Sequence, residues 1–196
     1  DRLERVKDIF LFSCYTGYAP VDAIKLTRKN VIQDTEKTLW IKANRQKTNT
    51  KANVPILPPV LKIINKYQFY GDTLLPKISN QKMNAYLKEI ADVCNIDKHL
   101  TWYVARHTFA TTVTLGNGVR LENVSAMMGH TNTKQTQHYA KVLDVNIMED
   151  MEKLKSMSKS ADVIGSSPAE GSSRNKIFGS RAMARAMAAR FCIPPL

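Results

Sequence analysis

The sequence predicts a mainly helical α+β domain in which a small antiparallel sheet packs on a helical core. Most of the chain up to residue 157 carries apolar residues at three- and four-residue spacing, which is typical of amphipathic helices. Two strand-like segments flank the polar stretch NRQKTNTK at residues 44–51, and this pattern predicts a hairpin. Beyond residue 157 the sequence becomes rich in Ser and Gly, as linkers are.

The elements of the first third are predicted from spacing and from turn residues. Residues 3–15 have helical apolar spacing that ends at Gly17. A second short helix is expected from Pro20, a favourable first-turn residue, to about residue 27. Strands are expected at residues 38–43 and 52–57, with a further strand near Val31.

The rest of the domain is predicted to be helical. Thr101 is a natural N-cap for a helix that runs to about residue 115, where a Gly-Asn-Gly break closes it. The other expected helices cover residues 59–70, 80–93, 121–128, 134–140 and 146–157.

The chain of 196 residues is predicted to divide into a folded domain, 1–157, and a tail, 158–196. The tail combines a Ser/Gly linker with a basic, helix-prone end, and we expect it to be disordered or atypical. Because the sequence opens on Asp1 inside an expected helix, we interpret it as a fragment of a longer protein.

The charge balance indicates the class of partner. Twenty-nine Lys and Arg against seventeen Asp and Glu give a formal net charge of +12, which favours nucleic acid over an anionic membrane. A basic but otherwise ordinary surface is the alternative. The longest apolar stretch, residues 9–15, is too short to span a bilayer. Three widely spaced cysteines indicate neither a disulfide framework nor a zinc site, and suit the cytoplasm.

Three residue types in the second half could carry chemistry together. Arg106, at the start of a predicted helix, offers a planar fork of donors that suits a phosphate. His130 offers a donor near neutral pH, and Tyr139 offers an oxygen that can attack phosphorus. Taken singly, each is more often a packing or capping residue.

The combination resembles the catalytic domain of the tyrosine recombinases, or phage integrase family. Residues 103–107 match the H-x-x-R-H box, residues 128–130 match L-G-H, and Tyr139 follows that His by nine residues. Thr16-Gly17 matches the upstream TG motif, and Lys47 matches the β-hairpin lysine. The order and spacing of these motifs hold over about 155 residues, and the sequence of the segments is most similar to integrases of conjugative transposons.

The resemblance implies a site-specific DNA recombinase that cleaves and rejoins strands. Tyr139 would form a 3′-phosphotyrosine and release a 5′-hydroxyl, with no metal, ATP or other cofactor. Arg106 and His130 would hold the non-bridging phosphate oxygens. Lys47 would donate a proton to the leaving 5′-oxygen, unless it is an ordinary solvated lysine that touches only the DNA backbone.

Two positions depart from the family pattern. Ala19 stands where the first family arginine is expected, although the aligned acidic residue is present as Asp22, which braces the site or caps its helix. Tyr103 stands at the first histidine of the box, and its hydroxyl can still donate to a phosphate. Arg45 would lie on the same strand face as Lys47, so we hypothesise that it replaces the missing arginine; a DNA-backbone contact is the alternative.

Other residues are assigned supporting roles. His107 is expected to be structural, and His138 is given no catalytic role. Thr131, Thr133 and Thr136 are expected to cap the turn and helix that carry Tyr139. Basic residues expected to contact DNA phosphates, or else to be solvated surface charges, are Lys25, Arg28, Lys29, Lys51, Arg120 and Lys134.

The implied partner is double-stranded DNA, bound by a tetramer that exchanges the helix expected at residues 146–157, with accessory DNA-bending proteins. A bacterial cytoplasmic location follows from this class. Two alternatives stay open: a catalytically impaired relative that only binds DNA, and a type IB topoisomerase-like enzyme.

Overall fold

The computed structural model describes residues 2–140 and 151–152. Contacts between residues divide the chain into two units, Asp1–Lys141 and Val142–Leu196, and the description below concerns the first. The expected tail at 158–196 and most of the expected helix at 146–157 lie outside the described residues. The domain boundary at residue 157 therefore stays a prediction.

The helices of the first unit surround a long, largely buried first helix. The helices are α1 (Arg2–Thr16), α2 (Pro20–Ala23), α3 (Pro58–Lys66), α4 (Asn80–Val93), α5 (Trp102–Thr108), α6 (Leu121–Met127) and α7 (Lys134–Ala140). Helix α1 contacts α3, α4 and α5, and it buries Val6 and Phe12 completely. The Nε1–H of Trp102 on α5 donates to the hydroxyl of Ser13 on α1 at 2.8 Å.

The predicted sheet is present as three antiparallel strands. Strands β1 (Val31–Gln33), β2 (Leu39–Asn44) and β3 (Lys51–Pro55) pair in the order β1-β2-β3. Ile41 of β2 pairs with Val54 of β3, and both side chains are buried. The hydroxyl of Tyr18, which follows α1, donates to the Ala52 carbonyl at 2.5 Å and so ties the end of α1 to the sheet. The α+β, mainly helical class is confirmed.

The helix expected at residues 101–115 differs from its prediction. The α-helix ends at Thr108, continues as a π-helix over Phe109–Thr114 and closes with a 3-10 turn at Leu115–Asn117. Thr111 and Thr114 donate their hydroxyls back to main-chain carbonyls of the preceding turn, including those of His107 and Phe109, both at 2.9 Å. Side chains that bond their own helix backbone in this way distort its regular ladder.

Two further helices are shorter than expected, and the N-cap of α5 is bonded differently from its prediction. The helix at Pro20 stops at Ala23, since Leu26 then accepts a hydrogen bond from the Leu74 amide. Helix α3 is shorter than the expected 59–70. Thr101 occupies the N-cap of α5 without a side-chain cap bond; Asn84 of α4 accepts the Trp102 amide instead, at 2.8 Å.

Over the described residues, no helix is both long enough and apolar enough to cross a membrane.

Gly17 fits its position for two reasons, and we expect Gly17→Ala to destabilise the domain. Its φ is +68°, and a Cβ there would overlap the ring of Phe109. Left-handed backbone strain and overpacking together should cost about 2–4 kcal/mol of unfolding free energy in urea denaturation. Gly118→Ala is the matched control, because Gly118 also has a positive φ, +75°, but has open space around it. Equal losses in the two variants would contradict this account.

Candidate active site

Arg106 is buried at the centre of the site, where it joins two turns. Its side chain projects from α5 with the residue only 3% exposed. Nη1 donates to the carbonyl of Gly17, and Nη2 donates to the carbonyl of Met128 at 2.7 Å. Burial, and then the nearby charge of Arg45, lower the pKa of Arg106, yet a guanidinium stays charged in proteins. The site therefore holds one fixed positive charge.

His130 lies on the turn after α6 and contacts both Arg106 and the helix that follows. Its amide donates to the Ser125 carbonyl at 3.0 Å, which fixes the turn. In the ring, Nε2 is 3.0 Å from Nη2 of Arg106, and Nδ1 is 2.7 Å from the hydroxyl of Thr136. Burial, with the charges of Arg106 and Arg45, lowers the pKa of His130 to about 4. His130 is therefore neutral at physiological pH.

Tyr139 lies on α7 with its side chain turned into the site, and it is 6% exposed. Burial raises the pKa of Tyr139 to about 12, as does the neighbouring Tyr103, while the charges of Arg106 and Arg45 oppose the rise. The phenol is therefore protonated at rest, and it lies within the electrostatic reach of two cations.

Tyr103 and His107 form an aromatic wall beside Tyr139. The ring of His107 meets that of Tyr103 at 5.0 Å and that of Tyr139 at 5.1 Å, both edge to face. Tyr103 is 55% exposed, and it neighbours Tyr139 closely enough to raise the pKa of that phenol. Burial, and then the charges of His138 and Arg106, lower the pKa of His107. The structural role expected for His107 stays a prediction.

The β2–β3 turn brings Arg45 to the same place. The Arg45 amide donates to the Thr50 carbonyl at 2.8 Å, and the Arg45 carbonyl accepts from the Asn49 amide at 2.8 Å. A Cβ on Gly129 would lie 3.2 Å from Cβ of Arg45 and 3.5 Å from its Cδ, so the arginine side chain runs directly across this glycine. The charge of Arg45 reaches Arg106, His130 and Tyr139, since it perturbs the pKa of each.

Two contacts hold this turn in place. The buried carboxylate of Asp22 accepts the Gln46 amide at 3.0 Å, and the Thr50 hydroxyl donates to the Gly129 carbonyl at 2.6 Å. Asp22 therefore contacts the turn that carries Arg45, beyond its place in the short helix α2. Ala19 forms the N-cap of that helix without a side-chain bond.

The expectation that Arg45 and Lys47 share a strand face is wrong. Strand β2 ends at Asn44, and residues 45–50 form a turn in which faces do not alternate. Lys47 is exposed on this turn, whereas Arg45 is half-buried. Strand alternation therefore does not explain the position of Arg45, which lies on the turn.

The hydrogen bonds at the start of α7 differ from the capping roles expected for its threonines. Asn132, which sequence reasoning missed, accepts the Lys134 amide at 2.8 Å at the start of α7. Thr136 is buried inside α7 and contacts His130, so the expected capping role of Thr136 is wrong.

Arg28 donates to the Tyr67 carbonyl at 2.8 Å. The exposed members of the expected DNA-contacting set are Lys25, Lys29, Lys51, Arg120 and Lys134.

Within residues 2–140 and 151–152, no three His, Cys, Asp or Glu side chains are grouped as metal ligands.

The fold is shared with solved site-specific recombinases. XerA recombinase superimposes with a TM-score of 0.58 at 20% identity, covering 76% of this chain and 62% of that one. The Tn1549 transposon integrase, in complex with transposon right end DNA, superimposes with a TM-score of 0.58 at 15% identity, covering 78% of this chain and 59% of that one. XerH bound to palindromic difH substrate superimposes with a TM-score of 0.57 at 15% identity, covering 69% of this chain and 41% of that one. At these identities the likeness shows the fold.

Residues 4–145 match the Phage integrase family, and the chain belongs to that family, as its motifs implied. Tyrosine recombinase XerD of Halalkalibacterium halodurans is 43% identical over 65 residues, or 33% of this chain and 21% of that protein. Tyrosine recombinase XerA of Pyrococcus horikoshii is 31% identical over 119 residues, or 61% of this chain and 38% of that protein. The chain thus matches less than half the length of these relatives.

The low pKa of His130 predicts a loss of stability in acid. An unfolded histidine binds a proton near pH 6.5, but folded His130 resists protonation down to about pH 4, with Arg106 of α5 and Arg45 of the turn facing it. Unfolding free energy should therefore fall as the pH drops from about 6.5 to 4, and His130→Gln should reduce this dependence. Urea denaturation at several pH values measures it; an NMR midpoint for His130 above pH 6 would contradict it.

Proposed function

We propose that this chain is the catalytic domain of a site-specific DNA recombinase that acts through a 3′-phosphotyrosine. The observation that carries the proposal is the convergence of Tyr139 with Arg106, His130 and Arg45 at one site. A nucleophilic oxygen beside two guanidinium groups suits attack on a phosphodiester, whose charge grows in the transition state. Membership of the phage integrase family supports the same chemistry.

The chemical steps follow from the groups present. The Tyr139 oxygen attacks phosphorus, a new P–O bond forms to tyrosine, and the bond to the 5′-oxygen breaks. Lys47 supplies the proton that the leaving 5′-oxygen takes up. The Tyr139 proton leaves to water on the side of the site where the exposed Tyr103 neighbours Tyr139. Attack by a second 5′-hydroxyl reverses these steps on a new strand, so neither a metal nor ATP is needed.

Arg45 supplies the second arginine of the site, in place of the family arginine that is absent at Ala19. Its side chain crosses Gly129 toward the site, and its charge acts on Arg106, His130 and Tyr139. Asp22 and Thr50 hold the turn on which it lies. Two arginines can share the non-bridging oxygens of one phosphate, while the like-charge repulsion between them is offset once the anion binds.

The partner we propose is double-stranded DNA. The solved structures of XerH, the Tn1549 integrase and lambda integrase that share this fold are DNA complexes. The charge of +12 and the exposed lysines around the hairpin favour the same partner. A tetramer that exchanges the segment at 146–157, accessory DNA-bending proteins and a bacterial cytoplasmic location complete the proposal, with 1–157 as the catalytic domain and 158–196 as its tail.

Two other functions remain distinguishable by experiment. A DNA-binding relative without catalysis would bind junction DNA but form no covalent complex with it. A topoisomerase-like enzyme would relax supercoils without exchanging strands between duplexes. The presence of both Tyr139 and a second arginine near it favours recombination over simple binding.

Covalent trapping tests the proposed chemistry. On a nicked suicide substrate made from the junction of the element that encodes the protein, the native chain should form a protein–DNA adduct. Tyr139→Phe should form none, because its ring has no oxygen to attack phosphorus. Denaturing gel electrophoresis detects the adduct. Equal adducts from both chains would exclude Tyr139 as nucleophile, and DNA binding by the native chain without any adduct would favour the binding module.

Arg45→Ala should lower the rate of covalent complex formation about 100-fold or more, with a much smaller effect on DNA affinity. Removing a donor that stabilises the transition state acts mainly on the chemical step. Lys51→Ala is the matched control, because Lys51 is an exposed basic residue of the same hairpin. Single-turnover cleavage and fluorescence anisotropy measure the two effects. Proportional losses of binding and cleavage in Arg45→Ala would instead indicate an ordinary backbone contact.

A further inference from the structure

The hydrogen bonds of His130 define which ring nitrogen carries the proton in the free protein. Nε2 lies 3.0 Å from Nη2 of Arg106, and a guanidinium can only donate. Nε2 must therefore accept, which requires the neutral ring to carry its proton on Nδ1. That proton points at the Thr136 hydroxyl, 2.7 Å away, which accepts it. The resting ring is thus the Nδ1–H tautomer.

This resting arrangement conflicts with the proposed work of the site. Both hydrogens of Nη2 are engaged, one by the Met128 carbonyl and the other by His130. A phosphate that takes the second hydrogen must displace His130 from Arg106. Once displaced, Nε2 faces an anionic oxygen, and an unprotonated nitrogen there would repel it. A ring that contacts the phosphate needs its proton on Nε2.

We propose that Thr136 is a positioning residue whose hydroxyl allows His130 to change from the Nδ1–H to the Nε2–H tautomer when a DNA phosphate replaces it on Arg106. The inference rests on the proposed recombinase function. A hydroxyl can accept from Nδ1–H in the resting state and, after rotation, donate to bare Nδ1 in the bound state. A carboxylate or a carbonyl at this place would accept only and would hold the resting tautomer.

The position of Thr136 suits this role. It is completely buried, so its hydroxyl keeps the histidine as its partner in place of bulk water. It also precedes Tyr139 by three residues on α7, so the two side chains lie on neighbouring parts of one helix face. The bond from Thr136 to His130 therefore links the orientation of the phosphate-binding ring to the helix that carries the nucleophile.

The exchange leaves the charge of the ring unchanged. When the half-buried ring leaves Arg106, the Nδ1 proton is released to water and Nε2 takes up a proton from water. The Thr136 hydroxyl then rotates and donates to bare Nδ1. No net proton uptake is required, which agrees with the low pKa of His130.

Nitrogen-15 NMR of histidine-labelled chain tests the tautomers directly. Tyr139→Phe is used throughout, so that DNA is bound without being cleaved. In the free chain, the His130 signal should show a protonated Nδ1 and a bare Nε2. Adding a short junction duplex should reverse this pattern. A free chain with protonated Nε2, or a bound chain that keeps the Nδ1–H tautomer, would overturn the inference.

Variants at position 136 test the role of the hydroxyl in the chain with native Tyr139. Thr136→Val keeps the shape and removes the hydroxyl, so covalent complex formation should slow at least about tenfold, the scale seen when a partner orienting a functional histidine is lost. Thr136→Ser restores a hydroxyl and should recover most of the rate. Gln137→Ala is the control, because Gln137 is an exposed residue of α7 next to Thr136.

The outcomes separate this inference from the proposed function. Thr136→Val with a native cleavage rate, or Thr136→Ser as slow as Thr136→Val despite native unfolding free energy, would overturn the role of Thr136. A third outcome combines the expected tautomer change with a native chain that forms no adduct with DNA. That outcome would overturn the recombinase function but not the tautomer exchange.

Discussion

The buried guanidinium of Arg106 is the interaction on which the arrangement of this site depends. A charge that is 97% removed from solvent costs several kcal/mol unless its donors are satisfied. Two carbonyls from distant turns satisfy it, those of Gly17 and Met128. The turn after α1 and the turn after α6 must therefore meet over α5. Across the described residues, every buried side-chain polar atom has a partner, so the cost is met locally.

The same burial sets the protonation of the groups around the arginine. His130 is held neutral and Tyr139 is held as a phenol, both mainly because burial disfavours their charged forms. The charges of Arg106 and Arg45 lower the pKa of both residues, so they add to the effect of burial at His130 and oppose it at Tyr139. In the proposed reaction a DNA phosphate brings negative charge to this surface, so the electrostatic balance would change on binding.

The hairpin turn carries the arginine that we propose as the replacement for the one absent at Ala19. Ala19 is too short to reach the site, but Asp22 on the same helix accepts the Gln46 amide and holds the turn from one side. Thr50 holds it from the other by donating to the Gly129 carbonyl. Gly129, with φ of +62°, leaves the space across which Arg45 runs. A charge missing from one element is thus available from another because three separate segments pack together there.

The sequence by itself determined the class of fold, the three strands, most helix positions and the residues Arg106, His130 and Tyr139, because apolar periodicity and motif spacing are local properties. Tertiary structure decided what depends on contacts between distant segments: the π-helix at Phe109–Thr114, the donors of Arg106, the bond between Thr136 and His130, and the approach of Arg45. Arg45 was proposed from a strand alternation that does not exist. Its place comes from a turn fixed by Asp22 and Gly129, whose proximity no spacing along the chain expresses.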